Sequence, residues 1–394
     1  MVEIANSVAD DRRATRAADV RVHDAPAPLT AIGIDAWQAL AQRAIEANGY
    51  YLPHWHLAVN ASARGRTDVA ALSAWSEAAS EPSRLIGLLP VVSAWRAYRI
   101  PLPALVSADP YGTLNTPLLD REQADAAVSG LMAQARTSGA RALILRDMSL
   151  GGAAMQAITA VAARGGITVR MLRSHYRACL DATSDADDLL RDALGAKKLK
   201  ELRRQRNRLA EHGDIRFEVA RSANEVAAAL EQFLTLEASG WKARRGTALV
   251  QDAGDAAFIR GATVALASYG QCEIVTLRAG DTAVAAAILL RHLDRAFYFK
   301  IGVDERFARL SPGVQLTLDV TRHLCADPMI ASADSTANAG HPMIDPIWRG
   351  RLAIGDVLIP LRPRDPVVPL IHAALSLRQI VHGAGRRLLH ATRG

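Results

Sequence analysis

The apolar positions of this chain change period along its length, and each change marks an element. Residues 295–301, RAFYFKI, alternate with a period of two: Phe297, Phe299 and Ile301 are expected on one face, Ala296, Tyr298 and Lys300 on the other. That alternation and its aromatic content predict a strand, which Gly302 ends. After a polar loop, Val314, Leu318, Thr321 and Cys325 recur at helical spacing, with Leu316, Val320 and Leu324 widening the apolar face. Ser311-Pro312-Gly313 opens that helix. Ser is a good N-cap, and Pro is tolerated at the first helical position, where its missing N–H has no intrahelical partner. A strand that delivers its loop to a helix with free N-terminal amides is a ready anion-binding arrangement.

The same reading covers the rest of the chain. In the first half it predicts helices at 35–45 and 53–61, strands at 68–75 and 85–92, and a loop-rich stretch at 101–119. A helix at 121–138, a buried strand at 142–146, a helix at 151–164 and a strand at 167–180 follow. Residues 1–28 are polar and Ala-rich and read as an unstructured tail. Residues 197–209, KKLKELRRQRNRL, set seven basic residues around the single acid Glu201, while Leu199, Leu202 and Leu209 keep a helical stripe. This is either an anion-binding face or a solvated helix linking two domains. No aromatic residues interleave with the cations, as they do in the stacking platforms of single-strand nucleic-acid binders. The second half reads strand 215–220, helix 222–239, a Gly/Arg-rich loop 240–247 and helix 255–269. Strands 272–278 and 282–290 join at Gly280-Asp281, a hairpin signal. After the opening strand and helix come a strand at 329–335, a turn at 342–348 and a strand at 352–361. Residues 368–393 form a basic amphipathic helix, expected to break at Gly383 and Gly385.

Bulk properties narrow the classes. With 394 residues, half of them apolar and 22% charged, the chain has material for two cores. A net charge of +7 permits anionic partners but selects none. Cys179, Cys272 and Cys325 lie far apart without metal spacing, so reduced structural cysteines and no metal are expected. No signal-peptide core occurs, and no apolar run approaches the roughly 18–20 residues of a membrane-spanning helix. A soluble cytoplasmic protein is the expectation. The nucleophile elbow, P-loop, HExxH and dinucleotide fingerprints are all missing.

The second-half order β-α-α-β-β-β-α-β-α-β resembles the GNAT family of N-acyltransferases, and the first half shows a rougher version of it. Three stretches are similar to the tandem FemAB-related and CelD-like subgroup, whose members are associated with cellulose and exopolysaccharide synthesis: LEASGWKARRGTAL (236–249), FYFKIGVDERFARLSPGVQL (297–316) and HPMIDPIWRGRLAIGDVLIPL (341–361). The resemblance implies an α/β fold with a mixed sheet, built as two tandem GNAT-like acyl-CoA N-acyltransferase units. The expected divisions are a tail at 1–28, a degenerate unit at 29–182, a basic linking helix at 183–213, a catalytic unit at 214–362 and a basic tail at 363–394. It also implies an acyl-CoA donor, such as acetyl-CoA, held near Arg309, Ser311, Pro312, Gly313 and Val314. There Pro312 and Val314 replace the small residues of the family's Q/R-x-x-G-x-G/A signature.

Within that frame, Glu237 is a candidate base, Tyr298 a proton donor, and Lys300 and Asp304 further catalytic candidates. Trp241, Lys242, Arg244, Arg245 and Asp334 are candidates for acceptor binding, the two arginines suiting phosphate or carboxylate. His341 and Asp345 read as a structural turn. The acceptor would be a small molecule or glycan carrying an amine or hydroxyl. Nucleic acid is not expected as a partner, with tRNA as the exception, because a FemAB-like aminoacyl-tRNA-dependent transferase stays open. So does a non-catalytic role in exopolysaccharide assembly.

Overall fold

The computed structural model describes residues 19–22, 25–78, 81–240 and 246–391. The first half runs β1 (Asp19–Val22), β2 (Ala27–Pro28), α1 (Ile34–Gln42), α2 (Pro53–Ser62), β3 (Ala70–Ala78), β4 (Glu81–Ser93), α3 (Ala94–Tyr98), β5 (Ala104–Ser107), β6 (Leu118–Leu119), α4 (Ala124–Thr137), β7 (Ala142–Ser149), α5 (Ala153–Arg164) and β8 (Arg170–Asp181). Helix α6 (Ala186–Leu209) leads to β9 (Ile215–Ala220), α7 (Ala223–Ser239), α8 (Ala253–Ala267), β10 (Cys272–Ala279), β11 (Thr282–His292), β12 (Arg295–Val303), α9 (Pro312–Cys325), β13 (Ser332–Asp334), β14 (Gly350–Pro360) and α10 (Val367–Ala391).

Local chemistry accounts for many of the boundaries. Ser222 and Glu225 close a reciprocal capping box at the start of α7. Gly195 leaves helical geometry at φ 70°, so the basic part of α6 is a separate helical run from its acidic start. Gly383 and Gly385 do not interrupt α10, which continues to Ala391. A helical glycine costs about 1 kcal/mol relative to alanine, which weakens a helix without ending it. Asp19–Val22, within the segment expected to be an unstructured tail, pairs with β3 along Asp19↔Glu77 to Val22↔Ala74.

Among the described residues all strands join one mixed sheet, ordered β1-β3-β4-β5-β7-β14-β8-β13-β12-β11-β10-β9, with β2 and β6 on its flank. Only β5–β7 and β12–β13 are parallel pairs among those described. The middle of the sheet is an exchange. First-half strand β8 pairs with second-half β13, and second-half β14 pairs with first-half β7. The two exchanged strands also pair with each other from Gly350↔Cys179 to Leu358↔Arg170. Each half is therefore completed by backbone from the other. The expected fold class, α/β with a mixed sheet, is the one observed.

The largest apolar core lies under α1, α2, α4, α5, α7 and α8, and so spans both halves. A second core packs α6, α9 and the turn around Ile344–Trp348 on the opposite face. His292 pins the first core across the seam. Its Nδ1 accepts from Asn48 N–H at 2.8 Å and its Nε2 donates to the Ala41 carbonyl at 2.9 Å, a neutral ring that burial holds at a pKa of about 4. No helix among the described residues is long and apolar enough to cross a membrane.

Two features position the site. The β12–β13 pairing covers only Arg295↔Ser332 to Phe297↔Asp334, after which β12 runs on to Val303 without that neighbour. The sheet opens there. In addition, the β11–β12 register slips between Ile288↔Lys300 and Leu289↔Tyr298, leaving Phe299 as a bulge. The bulge breaks the strict alternation expected from the sequence. Phe297 and Phe299 face the first core, whereas Tyr298, Ile301 and Val303 face the second. Tyr298 and Lys300 therefore do not share a face.

Candidate active site

The opening beside β12 contains a cavity of about 350 Å³ lined by Tyr50, Arg66, Asp109, Tyr111, Gly112, Thr113, Phe299, Lys300 and Thr336, drawn from both halves. Its second-half wall is built on β12 and α7. Lys300 Nζ lies 3.2 Å from Glu237 Oε1, and Glu237 Oε2 accepts the Leu249 N–H at 3.0 Å. The Glu237 side chain is fully buried, while Lys300 keeps 22% exposure. A buried carboxylate thus orients an ammonium that still reaches the cavity.

The first-half wall is the loop 109–113. Trp55 Nε1 donates to the Pro110 carbonyl at 2.7 Å, fixing the loop to α2. Asp109 Oδ1 accepts the Tyr111 N–H at 2.9 Å, and Tyr111 holds a left-handed φ of 58°. Gly112 is required, because a Cβ there would run into the Tyr50 ring. The Tyr111 hydroxyl donates to Asp255 Oδ2 at 2.7 Å, and burial together with that carboxylate pushes the phenol pKa up. Arg66 pairs with Asp109 at 3.1 Å and sits 4.2 Å above the Tyr111 ring.

Beneath the cavity, Arg177 of β8 and Asp334 of β13 form an ion pair with side chains 1% and 0% exposed. Arg177 Nη1 also donates to the Thr113 carbonyl at 2.6 Å and to Thr113 Oγ1 at 2.9 Å. Asp334 Oδ1 accepts the Thr336 N–H at 2.9 Å, and Thr336 Oγ1 donates to the Tyr298 carbonyl at 2.6 Å. The Tyr50 hydroxyl is buried beside Thr336, and burial raises its pKa. This network ties the first-half loop to the point where β12 and β13 part.

The other residues singled out from sequence lie elsewhere. Tyr298 is buried on the α9 side, its hydroxyl 3.3 Å from Thr317 Oγ1 and its ring 5.9 Å from that of Trp348; burial raises its pKa. Asp304 caps the turn at 305–310 and pairs with Arg306 at 2.7 Å, and Arg306 holds its carboxyl below the usual range. It lines a separate cavity with Gln232, Thr235 and Ser239. Ser311 takes the N-cap position of α9 at φ 53° without a side-chain cap bond, and Pro312 is the first helical residue. Gly313 is covered: a Cβ on it would meet Met343 Sδ and Val303 Cγ1, each at 3.2 Å. Val314 packs with the second core, and Arg309 is exposed. His341 and Asp345 bond within their own turn, to the N–H groups of Met343 and Gly340. Trp241, Lys242, Arg244 and Arg245 lie outside the described residues. Among the described residues no cluster of three or more His, Cys, Asp or Glu could hold a metal ion.

The sequence reading did not single out Arg66, Tyr111, Thr113, Arg177 or Thr336. The turn chemistry of Asp109-Pro110-Tyr111-Gly112 was visible, but which strand edge the loop meets depends on the β8–β14 exchange.

Residues 196–338 match the family model described as an acetyltransferase (GNAT) domain. No curated protein sequence matches the chain. Among solved structures, FemX is 11% identical with a TM-score of 0.56, covering 86% of this chain and 98% of that one. The L-PGS structure from Bacillus licheniformis is 12% identical with a TM-score of 0.51, covering 89% and 97%. The C-terminal DUF2156 domain named for a lysylphosphatidylglycerol synthetase from Agrobacterium fabrum is 14% identical with a TM-score of 0.51, covering 87% and 96%. At these identities the likeness is one of fold.

Proposed function

We propose that this chain transfers an acyl group from an activated ester or thioester to an amine or hydroxyl, with its reaction centre at Lys300 in the cavity between the halves. The observation that carries the reading is Lys300 itself, oriented by buried Glu237 and open to a cavity walled by both halves, within a segment that matches a GNAT domain. In acyl transfer the acceptor nitrogen or oxygen forms a bond to the carbonyl carbon, negative charge grows on the carbonyl oxygen, and the carbonyl–sulfur or carbonyl–oxygen bond to the donor then breaks, the proton lost by the acceptor ending on the leaving thiol or alcohol. A fixed ammonium beside that oxygen stabilises the charge. Glu237 then acts as a positioning residue, because its carboxylate is engaged by Lys300 and Leu249. Arg66 and Asp109 suit the polar end of the acceptor.

The donor we favour is an acyl-CoA, in keeping with the GNAT match, seated along the opened edge of β12 toward Arg309 and Ser311–Val314. A FemAB-like use of charged tRNA is the second reading. It is favoured by Met343 covering Gly313 and by the exposed cations Lys197, Lys200, Arg203, Arg204 and Arg208 on α6. We also propose that the loop carrying Trp241, Lys242, Arg244 and Arg245 contacts the acceptor. Residues 29–182 and 214–362 would serve as a degenerate and a catalytic unit around the linking segment 183–213. A role in polysaccharide or envelope synthesis, with a glycan acceptor, remains part of this proposal.

The test is donor turnover by the full chain. Acetyl-CoA and longer acyl-CoAs are assayed by free-thiol release, and charged tRNA by deacylation at several salt concentrations. Release from one donor class assigns the donor, and a steep loss with salt is expected for tRNA. Turnover of neither class, with folded protein and a panel of amine and hydroxyl acceptors, would leave the non-catalytic assembly role.

A further inference from the structure

Helix α10 carries apolar side chains on two opposite sides. At about 100° per residue, Val368, Ile371 and Leu375 fall within an arc of about 60°, and Leu370, Leu377 and Ile380 within an arc of about 80° centred on the far side. The first three are buried in a core shared with β5, β7 and β14, which seats the helix on the sheet. The other three are 60%, 63% and 69% exposed. Single exposed apolar residues are ordinary. No other helix among the described residues carries more than one such large side chain, whereas α10 lines up three. A helix with apolar stripes on both its core side and its solvent side is suited to lie between two apolar surfaces.

The charge around the outer stripe has one sign. Residues 366–394 contain Arg378, Arg386, Arg387 and Arg393 and no aspartate or glutamate. The acid just before the helix, Asp365, is buried: its Oδ1 accepts the Val367 N–H at 2.9 Å and its Oδ2 pairs with Arg141 at 3.1 Å. Arg362 and Arg364 beside it are exposed. Arg378 lies 4.8 Å from the ring centre of Tyr98, on the adjoining helix α3. Residues 94–106, which include α3, add Arg96 and Arg99 and again no acid.

We infer that the outer stripe of α10 docks this protein on an anionic lipid surface. Leu370, Leu377 and Ile380 enter the boundary between headgroups and acyl chains, and the arginines meet the headgroup phosphates. Apolar burial and attraction to anionic lipid are the two contributions that hold such a helix in the plane of a membrane. A lipid surface requires no shape complementarity, whereas a standard protein partner requires a fitted patch of about 800 Å², more than one convex stripe offers. The inference is independent of the reaction proposed at Lys300.

The test is co-sedimentation of the full chain with vesicles of phosphatidylcholine alone and of phosphatidylcholine mixed with phosphatidylserine. The mixed vesicles should bind it at least about tenfold more tightly at low salt, a preference that added salt removes. Leu370→Ser, Leu377→Ser and Ile380→Ser together should weaken that binding at least about a hundredfold, since each such side chain moved out of water is worth about tenfold. All three positions are exposed, so the circular dichroism spectrum and urea midpoint of the triple variant should match the wild type. Should it fail to fold, Leu377→Ser alone decides, with a loss of about tenfold. Sedimentation velocity without lipid examines the rival occupant. A concentration-dependent dimer that the triple variant abolishes would assign the stripe to a second copy of the chain and overturn the inference. Failure of the folded wild type to bind mixed vesicles, or full binding by the triple variant, would overturn it as well.

Discussion

Replacing both members of the Arg177–Asp334 pair should cost clearly less than the two single replacements added together. The two side chains are 1% and 0% exposed, so neither charge can fall back on solvent. Asp334→Asn leaves a buried guanidinium opposite a neutral amide, and Arg177→Met leaves a buried carboxylate and strips the Thr113 carbonyl of its donor. Breaking a buried pair from one side typically costs about 3–5 kcal/mol. Against a total stability of about 5–15 kcal/mol, either single change is severe. The double variant removes both charges, and the amide oxygen introduced by Asp334→Asn can still accept the Thr336 N–H that Asp334 Oδ1 accepts now. Its cost should therefore fall short of the sum of the singles by at least about 2 kcal/mol, within the range of coupling for residues in one network. Urea unfolding at neutral pH, followed by both circular dichroism and tryptophan fluorescence, measures this. The two probes should coincide if the shared sheet unfolds as one unit. Singles that cost under about 1 kcal/mol, or that add within about 0.5 kcal/mol in the double variant, would refute the idea that this pair holds the loop 109–113 to β13.

Further outcomes follow from the same structure. Gly112→Ala should cost about 1–3 kcal/mol by overpacking against Tyr50, read as a lower urea midpoint, whereas Gly33→Ala, with open space around its Cβ site, should change little. His56 and His292 are buried and neutral, each held by burial at a pKa of about 4. Because the folded values lie below the ordinary 6.5, their contribution is complete above that pH and is lost as pH falls toward 4. Each can remove up to about 3 kcal/mol, so a urea midpoint flat between pH 7 and pH 4.5 would contradict the burial argument. Met343→Ala should uncover Gly313; if acyl-CoA uses the α9 amides, calorimetric affinity should hold or rise, and a large loss of binding would count against that seat.

Much of the element order was legible because it is local. The Ser222…Glu225 capping box, the Gly280-Asp281 hairpin and the helical stripe of α9 are each set by neighbours within a few residues. What escaped depends on distant pairing. Nothing near residues 170–181 or 350–360 says that these strands exchange places between the halves, because the pairing is made by backbone groups of segments far apart in sequence. The Phe299 bulge was equally hidden. RAFYFKI alternates cleanly on paper, and only the register of β11 shows that Tyr298 and Lys300 part to opposite faces. Glu237 and Lys300 were both catalytic candidates from sequence but not as partners of each other, since 63 positions separate them in sequence. Arg66 and Tyr111 carried no local signal of chemistry, as a single arginine and a turn tyrosine become a wall only when the first half folds over β12.

The most direct measurement of the central claim is donor turnover by Lys300→Ala and Lys300→Arg beside the wild type, with folding checked by circular dichroism. Loss of one charge-stabilising donor at an acyl-transfer centre costs about 10²–10³ in kcat. The account predicts a loss of that order in Lys300→Ala, a partial rescue in Lys300→Arg, and a smaller change in donor KM than in kcat for both. A folded Lys300→Ala protein that turns over donor at the wild-type rate would place the chemistry elsewhere and contradict it.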